Sequence, residues 1–341
     1  MTTTESRVSV LLLAYNQEAY VRRAALSCLA QECEPLEIIL SDDASTDRTF
    51  EVMQELAASY RGPHRVTARR NASNVGIGEH YNQLVAASCG ALLVTAAGDD
   101  ISTPDRVRRL IEAWEATGCR ADLIASHVID LDDDDQLHKV MRVDDLSIYR
   151  SAEDWARKRP YIIGAGHAFT RRMMERFGPI APGVFYEDQV MVFRAIVSGG
   201  AVTVDAPLVH YRRGGTSRKP PFESQEHMKQ WTLRQLGREL AEMHQLLADA
   251  QLASRLSAVR DHIELRHVPA RYLQLLQLSL TGAERWAAFR DASSLPYWWR
   301  LRKMLHVVFP CTSYRIRRAL HDLHEWRYRQ GIATRRREPL P

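Results

Sequence analysis

Ala91-Leu-Leu-Val-Thr-Ala-Ala97-Gly98-Asp99-Asp100-Ile101-Ser102-Thr103-Pro104 is the stretch that decides the fold. An apolar run, Ala91 to Ala97, ends in two adjacent aspartates, and Ser102-Thr103-Pro104 then opens a helix. A strand delivers its last residues to the carboxyl edge of a sheet, where open α/β folds bind ligands, and hard divalent cations prefer carboxylate oxygens. An aspartate after a strand also serves as a turn residue or a helix cap, because its short side chain bonds nearby backbone N–H groups. A second pair, Asp42-Asp43, ends the apolar run Leu36 to Leu40 in the same way. Two such pairs in one alternating segment place carboxylates from two strand ends on one rim.

Working outward, Val8 to Ala14 reads as a first strand. Val21, Ala24, Ala25, Cys28 and Leu29 follow helical spacing, with Asn16 placed to cap that helix. Phe50, Met53, Ala57 and Tyr60 mark a second helix, with Ser45 or Thr46 as its cap. Val66 to Ala68 is a short strand, and Tyr81, Leu84, Val85 and Ser88 mark a third helix. After Asp100, Pro104 takes the first helical position and Val107, Leu110, Ile111 and Trp114 form the buried face. Such alternation predicts an α/β fold, a mostly parallel sheet with helices on both faces. From Leu123 to about Val209 the pattern loosens into strands, loops and one helix, Gln189 to Val197. Past Pro220-Pro221 the chain turns helical, with Leu233, Leu236, Leu240, Met243 and Leu247 in one stripe and further helices to about Trp326. Asp130 and Asp132 to Asp135 read as a solvated turn, since a calcium loop would need a Gly and a closing Glu that are absent.

Of the 341 residues 45% are hydrophobic and 26% charged, which fits a globular chain of one large domain plus an accessory region. No run of about 18 apolar residues exists to span a membrane, and Val8 to Ala14 is too short for the core of a signal peptide. Cys28, Cys33, Cys89, Cys119 and Cys311 are odd in number and contain no Cys-x-x-Cys, which argues against a disulfide framework and a zinc knuckle and favours the reducing cytoplasm. The formal charge of +4 hides an asymmetry. Residues 298–341 hold eleven Lys/Arg against three Asp/Glu, leaving the first 297 residues at net −4. Trp298-Trp299, Trp326 and Tyr328 interleave with these arginines, a pattern suited to an anionic membrane interface, to nucleic acid or to a solvated helical tail.

Val8-Ser-Val-Leu-Leu-Leu-Ala14-Tyr15-Asn16, Ser41-Asp42-Asp43-Ala-Ser45-Thr-Asp47, Asn74-Val-Gly76 followed by Asn82, Gly98-Asp99-Asp100, and Phe185-Tyr-Glu187-Asp188 stand in the order and spacing of family 2 glycosyltransferases. The resemblance covers roughly residues 7 to 215. It implies a glycosyltransferase-A fold, a nucleotide-binding αβα sandwich in residues 1–220, with a nucleotide-binding half (1–125) and an acceptor-binding half (126–220). Residues 221–341 then form a helical accessory region with a basic tail. The implied activity is transfer of one sugar, with inversion, from a nucleotide-sugar to a glycan or lipid-linked acceptor hydroxyl, as in bacterial surface polysaccharide synthesis.

The resemblance also assigns residues. Asp100 is the expected ligand of Mn²⁺ or Mg²⁺, with Asp99 reaching metal or ribose. Asp43 would accept the N–H of the base, Tyr15 would wall its ring, and the carbonyl of Ala14 would add a contact. Asn74 and Gly76 belong to the same donor site. A carboxylate that accepts a base N–H favours a UDP-sugar or dTDP-sugar. Asp188 stands where the catalytic base is expected, and Glu187 beside it contacts the acceptor or caps the helix. His210 is a further metal ligand in this reading, or a histidine merely hydrogen-bonded at a strand end. Arg212, Arg213, Arg218 and Lys219 after it either close over the diphosphate or form a solvated loop.

Three departures stand out. Gly98 occupies the first acidic position of the common Asp-x-Asp, His80-Tyr81-Asn82 replaces the common Ala-Arg-Asn, and there is no Gln-x-x-Arg-Trp. The last favours single-sugar transfer over processive synthesis. A non-catalytic nucleotide-sugar-binding protein would keep the base site and lose Asp188. A sugar nucleotidyltransferase would need a basic Gly-rich loop where this chain has Asn16-Gln17-Glu18-Ala19. A peripheral membrane contact through residues 298–341, at the inner face, is expected, and no nucleic-acid partner.

Overall fold

The computed structural model describes residues 7–212 and 224–308. Four strands, β1 (Val8–Ala14), β2 (Glu37–Asp42), β3 (Arg65–Arg70) and β4 (Leu92–Ala97), pair in parallel in the order β3-β2-β1-β4. β1 and β2 are buried along their whole length, as near-continuous apolar runs covered on both faces must be. β3, with three arginines, is the half-exposed edge, where charge discourages pairing with another chain.

Between these strands run α1 (Val21–Leu29), α2 (Thr49–Ser59) and α3 (Ile77–Ala87), and α4 (Arg106–Ala116) follows the short β5 (Ile101–Ser102). Val10, Leu12 and Ala14 of β1 share one core with Val21 and Ala25 of α1, Met53 of α2, and Val107, Leu110 and Trp114 of α4. The period of two turns Leu11 and Leu13 to the opposite face, the face on which Tyr81 of α3 bonds Thr95 of β4.

The second half of the sheet is mixed. β6 (Leu123–Leu131) lies between the antiparallel β8 (His167–Thr170) and the parallel β9 (Ala201–Arg212); β7 (Leu137–Met141) pairs with β6, and β5 with β9. β8 joins this half to β4. Where one helix is expected, the structure has three: α5 (Ala152–Arg157), α6 (Arg171–Phe177) and α7 (Glu187–Ile196), the last beginning two residues early. α5 and α6 have six and seven residues, too few turns to print a periodic stripe. The longer helices α8 (Gln225–Leu252) and α9 (Leu256–Leu278) precede α10 (Gly282–Asp291) and α11 (Tyr297–Val308).

The chain forms two compact units, 1–218 with 241–263, and 219–240 with 264–341. Segment 241–263 is held in the first unit by buried polar bonds. Asp249 pairs with Arg194 of α7 at 2.7 Å, both side chains fully buried, and Gln245 accepts the N–H of Ala181 at 2.8 Å. In the second unit Tyr272, Leu276, Ala288, Phe289 and Ala292 form a small core.

The expected caps differ. Asn16 does not cap α1; it adopts a left-handed φ of 51° and its side chain accepts the N–H of Thr46 at 2.8 Å. Ser45 is held by Asp42, and Asp47 instead bonds the N–H of Thr49 at the start of α2. Pro104 lies in the turn before α4 rather than at its first position. In each case a contact distant in sequence, or a tight turn, claims the group that local pattern assigns to the helix.

Candidate active site

The register levels the ends of three strands, with Ala14 opposite Asp42 and Leu13 opposite Ala97. Asp43, Tyr15, Asp99 and Asp100 follow these ends and gather on one rim. Asp43 is buried, and its carboxylate accepts Asn71 Nδ2 at 2.8 Å and the backbone N–H groups of Val75 and Gly76, each at 3.0 Å. It therefore clamps the Asn74-Val75-Gly76 turn, in which Gly76 has a φ of 79° that favours glycine and Asn74 is exposed. The Ala14 carbonyl accepts the Asp43 N–H at 2.9 Å, and Tyr15 beside it is 38% exposed. Behind them His80 meets Ser41 Oγ at 2.6 Å, and burial lowers its pKa to about 4, so it stays neutral.

Asp100 is buried. One carboxylate oxygen accepts the Arg212 N–H at 2.7 Å, while Oδ2 has no hydrogen-bond partner. Burial, and then the charge of Asp99, hold its pKa well above the usual carboxylate range; burial also raises Asp99. An orphaned buried carboxylate oxygen suits a cation, which would offset its desolvation. His210 lies opposite Ile101, next in sequence to Asp100, and burial lowers its pKa. Among the described residues no three His, Cys, Asp or Glu groups come close enough to form a complete metal cage.

Gly98 has a steric reason to be glycine. A Cβ there would lie 2.5 Å from Gln17 Oε1 and 2.6 Å from the Ala14 Cβ. Arg212 is no solvated loop residue: it is buried, donates to the carbonyl of Asp99 at 3.2 Å and to Asp135, and stacks over Tyr20 at 4.4 Å. Asp135 also pairs with Arg23, so the exposed acidic turn is pinned beside the rim. Arg213, Arg218 and Lys219 lie outside the described residues.

The second group of carboxyls stands at the start of α7. Burial, and then the charge of Asp188, raise Glu187 to about 8; burial raises Asp188 to about 6, with Glu242 pushing up and Arg159 pulling down. Asp188 Oδ1 accepts the N–H of Gln189 at 2.7 Å in the first helical turn. Gln189 in turn accepts from Arg159 at 3.1 Å, and Arg159 pairs with Glu242. The 3₁₀ turn Gly164–Gly166 lies against both carboxyls, since a Cβ on Gly164 would sit 3.4 Å from Glu187 Oε1 and 3.9 Å from Asp188 Oδ2.

Arg106 ties the two groups together. Fully buried, it donates to the Thr95 carbonyl at 2.7 Å, on the strand leading to Asp100, and to the Ala165 carbonyl at 2.6 Å, in the turn against Asp188. Burial lowers its pKa to about 10. Nearby His167 is fully buried with neither ring nitrogen partnered, and burial together with Arg106 lowers it to about 3. Arg106, Arg159 and Glu242 escape a sequence reading because each acts through a partner distant in sequence, and His167 because nothing local marks it as fully buried. The one available signal is a charged residue on an otherwise apolar helix face, as Arg106 is beside Val107 and Leu110.

Residues 9–178 match the model of Glycosyl transferase family 2, a span that ends before Asp188 and His210. The succinoglycan biosynthesis protein ExoO of Rhizobium meliloti is 28% identical over 231 residues, 62% of each chain. Curated relatives are covered only in part; the mycobacterial ones, 37% identical, are matched over 28% of their length. Among solved structures, S. aureus TarS 1-349 in complex with UDP-GlcNAc is similar with a TM-score of 0.52 at 14% identity, covering 84% of this chain and 90% of that one. The mannosyltransferase PcManGT of Pyrobaculum calidifontis, in complex with GDP-Man and Mn²⁺, gives 0.53 at 16% identity, covering 93% and 84%. The matched motifs and the curated relatives agree, and residues 9–178 belong to glycosyl transferase family 2.

Proposed function

We propose that the protein transfers one sugar, with inversion, from a nucleotide-sugar to an acceptor hydroxyl, and that Asp188 is the general base. The observation that carries this reading is the pairing of two unlike carboxyl sites through Arg106: Asp100 with an unpartnered buried oxygen, and Asp188 with a pKa of about 6. A general base works best with a pKa near the working pH, and an ordinary aspartate would be too weak a proton acceptor. As the acceptor oxygen attacks the anomeric carbon, Asp188 takes the hydroxyl proton. The bond to the nucleoside diphosphate breaks with its electron pair on phosphate oxygen. Glu187, pushed to about 8, is neutral at pH 7 and can donate a hydrogen bond to the acceptor or to Asp188.

Asp100, aided by Asp99 and His210, would hold Mn²⁺ or Mg²⁺, with diphosphate oxygens of the donor completing the coordination that no protein cluster provides. Such a cation neutralises charge on the leaving diphosphate. Nucleotide-sugars bound to TarS and PcManGT, the latter with Mn²⁺, support a nucleotide-sugar donor and a metal. Asp43, Tyr15, Ala14, Asn74 and Gly76 would seat the base and ribose. Asp43 already accepts three intrachain bonds, so a uracil N–H would use a remaining lone pair. A UDP-sugar donor and a glycan or lipid-linked acceptor are the reading adopted, with residues 298–341 at an anionic membrane surface. Polysaccharide assembly is supported by the ExoO relative.

The experiment that tests this reading is a donor screen following nucleoside diphosphate release, with and without Mn²⁺. UDP-sugar turnover restored by metal after chelation is expected. Release from no nucleotide-sugar under any condition, despite tight UDP binding, would favour the non-catalytic alternative.

A further inference from the structure

The second unit contains a cavity of about 250 Å³. Its wall carries four basic side chains, Lys229, Arg285, Lys303 and His306, against one carboxylate, Glu226. Met228, Leu273 and Val307 give it an apolar component. Arg285 donates to the Ser279 carbonyl at 3.3 Å, yet its buried Nε has no acceptor. Buried N–H groups without partners are rare, and one in the wall of a basic cavity points to an anionic acceptor that belongs there. The volume lies below the roughly 300–1,000 Å³ usual for drug-sized ligands, so it suits a small head group rather than a nucleotide-sugar.

The same unit carries an exposed aromatic ridge. Trp286, next in sequence to Arg285, stacks on Phe289 at 5.1 Å; Phe289 meets Tyr297 edge-on at 5.4 Å, and Tyr297 meets Trp298 at 5.3 Å. Trp286 is 49% exposed, Tyr297 51% and Trp298 77%, and Leu280, next to Ser279, is more exposed still. Trp299 of the same pair packs inward on Tyr272, so only one of the two tryptophans serves the surface. Trp and Tyr collect where one side of the ring is apolar and the other wet, at the head-group level of bilayers. A small, anion-seeking cavity in the same unit as such rings is complementary to a phosphate head group whose acyl chains stay in a membrane.

We infer that this cavity is a binding site for the phosphate head group of an anionic lipid, seated from the bilayer with Trp286, Tyr297 and Trp298 in the interface. The inference rests on the membrane reading above and deepens it. It moves recognition from diffuse charge in the tail to a built pocket bounded by Lys229, Arg285, Lys303 and His306.

The test is flotation of the full-length protein with vesicles of phosphatidylcholine alone or mixed with phosphatidate, at low salt, alongside calorimetry of UDP binding. Wild type should float with phosphatidate vesicles only, with a blue shift of Trp emission and loss at high salt. Each basic residue near an anionic surface is worth about five-fold in partitioning, so Arg285→Gln with Lys303→Gln should weaken flotation about 25-fold. Lys229→Gln, on α8 rather than on either helix of that pair, should weaken it about five-fold. Trp298→Ala should weaken it too, and all variants should keep UDP binding. Pocket variants that float as well as wild type would overturn the head-group site while leaving the membrane reading intact. Wild type that ignores phosphatidate vesicles would overturn both. Pocket-dependent quenching by inorganic phosphate without vesicle binding would make this a soluble-anion site and overturn the lipid assignment.

Discussion

At Asp188 burial pushes the carboxyl toward its neutral form while the neighbouring Arg159 favours its charged form, leaving the group at about 6. The base acts only when deprotonated, so kcat should rise with pH through an apparent value near 6 and level off above it; the step belongs to the Glu187–Asp188 pair, with Glu242 and Arg159 facing it. A rate independent of pH between 5 and 8 would be inconsistent with Asp188 as base. Asp188→Asn should lower kcat about 10² to 10⁴-fold and leave UDP binding unchanged. A carboxyl whose pKa is raised in the folded state costs stability above the unfolded value near 4. The same substitution should therefore raise the unfolding free energy by about 1–3 kcal/mol at pH 7, seen as a higher melting point. At Asp100, replacement by Asn should abolish the response to Mn²⁺, checked by activity in chelator with metal added back. At Asp43 a substitution reaches the fold as well as the candidate donor site. Asp43→Ala strips the acceptor from Asn71, Val75 and Gly76 and should cost about 2–4 kcal/mol in denaturant unfolding, besides weakening UDP binding. Asp43 and Asp100 were legible because each follows an apolar run, and Asp188 only through the family resemblance. Their partners were not, since Asn71 and Arg159 carry no local mark of what they will touch.

The elements read from sequence as far as their periodicity reaches. β1, β2 and β4 are continuous apolar runs, and α4 carries Val107, Leu110 and Trp114 at helical spacing, so these were plain. α5 and α6 were not, nor were the caps, which Thr46, Asp42 and Asp47 settle across turns. At β4 the glycine before Asp99 has a packing role that motif reading misses. Gly98→Asp, which would rebuild the common acidic pair, should instead force β4 from β1 at Ala14 and Gln17 and cost about 1–3 kcal/mol. An unchanged unfolding midpoint for that variant would mean that Gln17 and the rim yield freely. α7 depends on the Arg194–Asp249 pair, whose loss on one side leaves a buried charge without its counterion. Asp249→Ala should cost about 3–5 kcal/mol, while Arg194→Met with Asp249→Leu should be far milder, as read from denaturant midpoints.

Taken whole, the chain divides its helical C-terminal part between two units, and the first is not continuous in sequence. A protein ending at residue 220 would keep every rim aspartate yet lack Glu242, Gln245 and Asp249, leaving Arg159 and Arg194 buried without their carboxylates. It should fail to fold, whereas one ending near residue 264 should retain nucleotide binding; calorimetry with UDP on the two would check this. Composition made the basic tail plain but could not say which of its aromatic rings face solvent, because Trp298 and Trp299 are identical in sequence and opposite in packing. The Arg194–Asp249 pair also bears on how the protein is made. At roughly 5–20 residues per second, Asp249 leaves the ribosome a few seconds after Arg212 completes the sheet. During that interval the nascent sheet carries an arginine whose counterion has yet to be synthesised, and α7 with its candidate base cannot settle. The candidate site is therefore completed last, by a segment translated after every candidate catalytic and metal-binding residue.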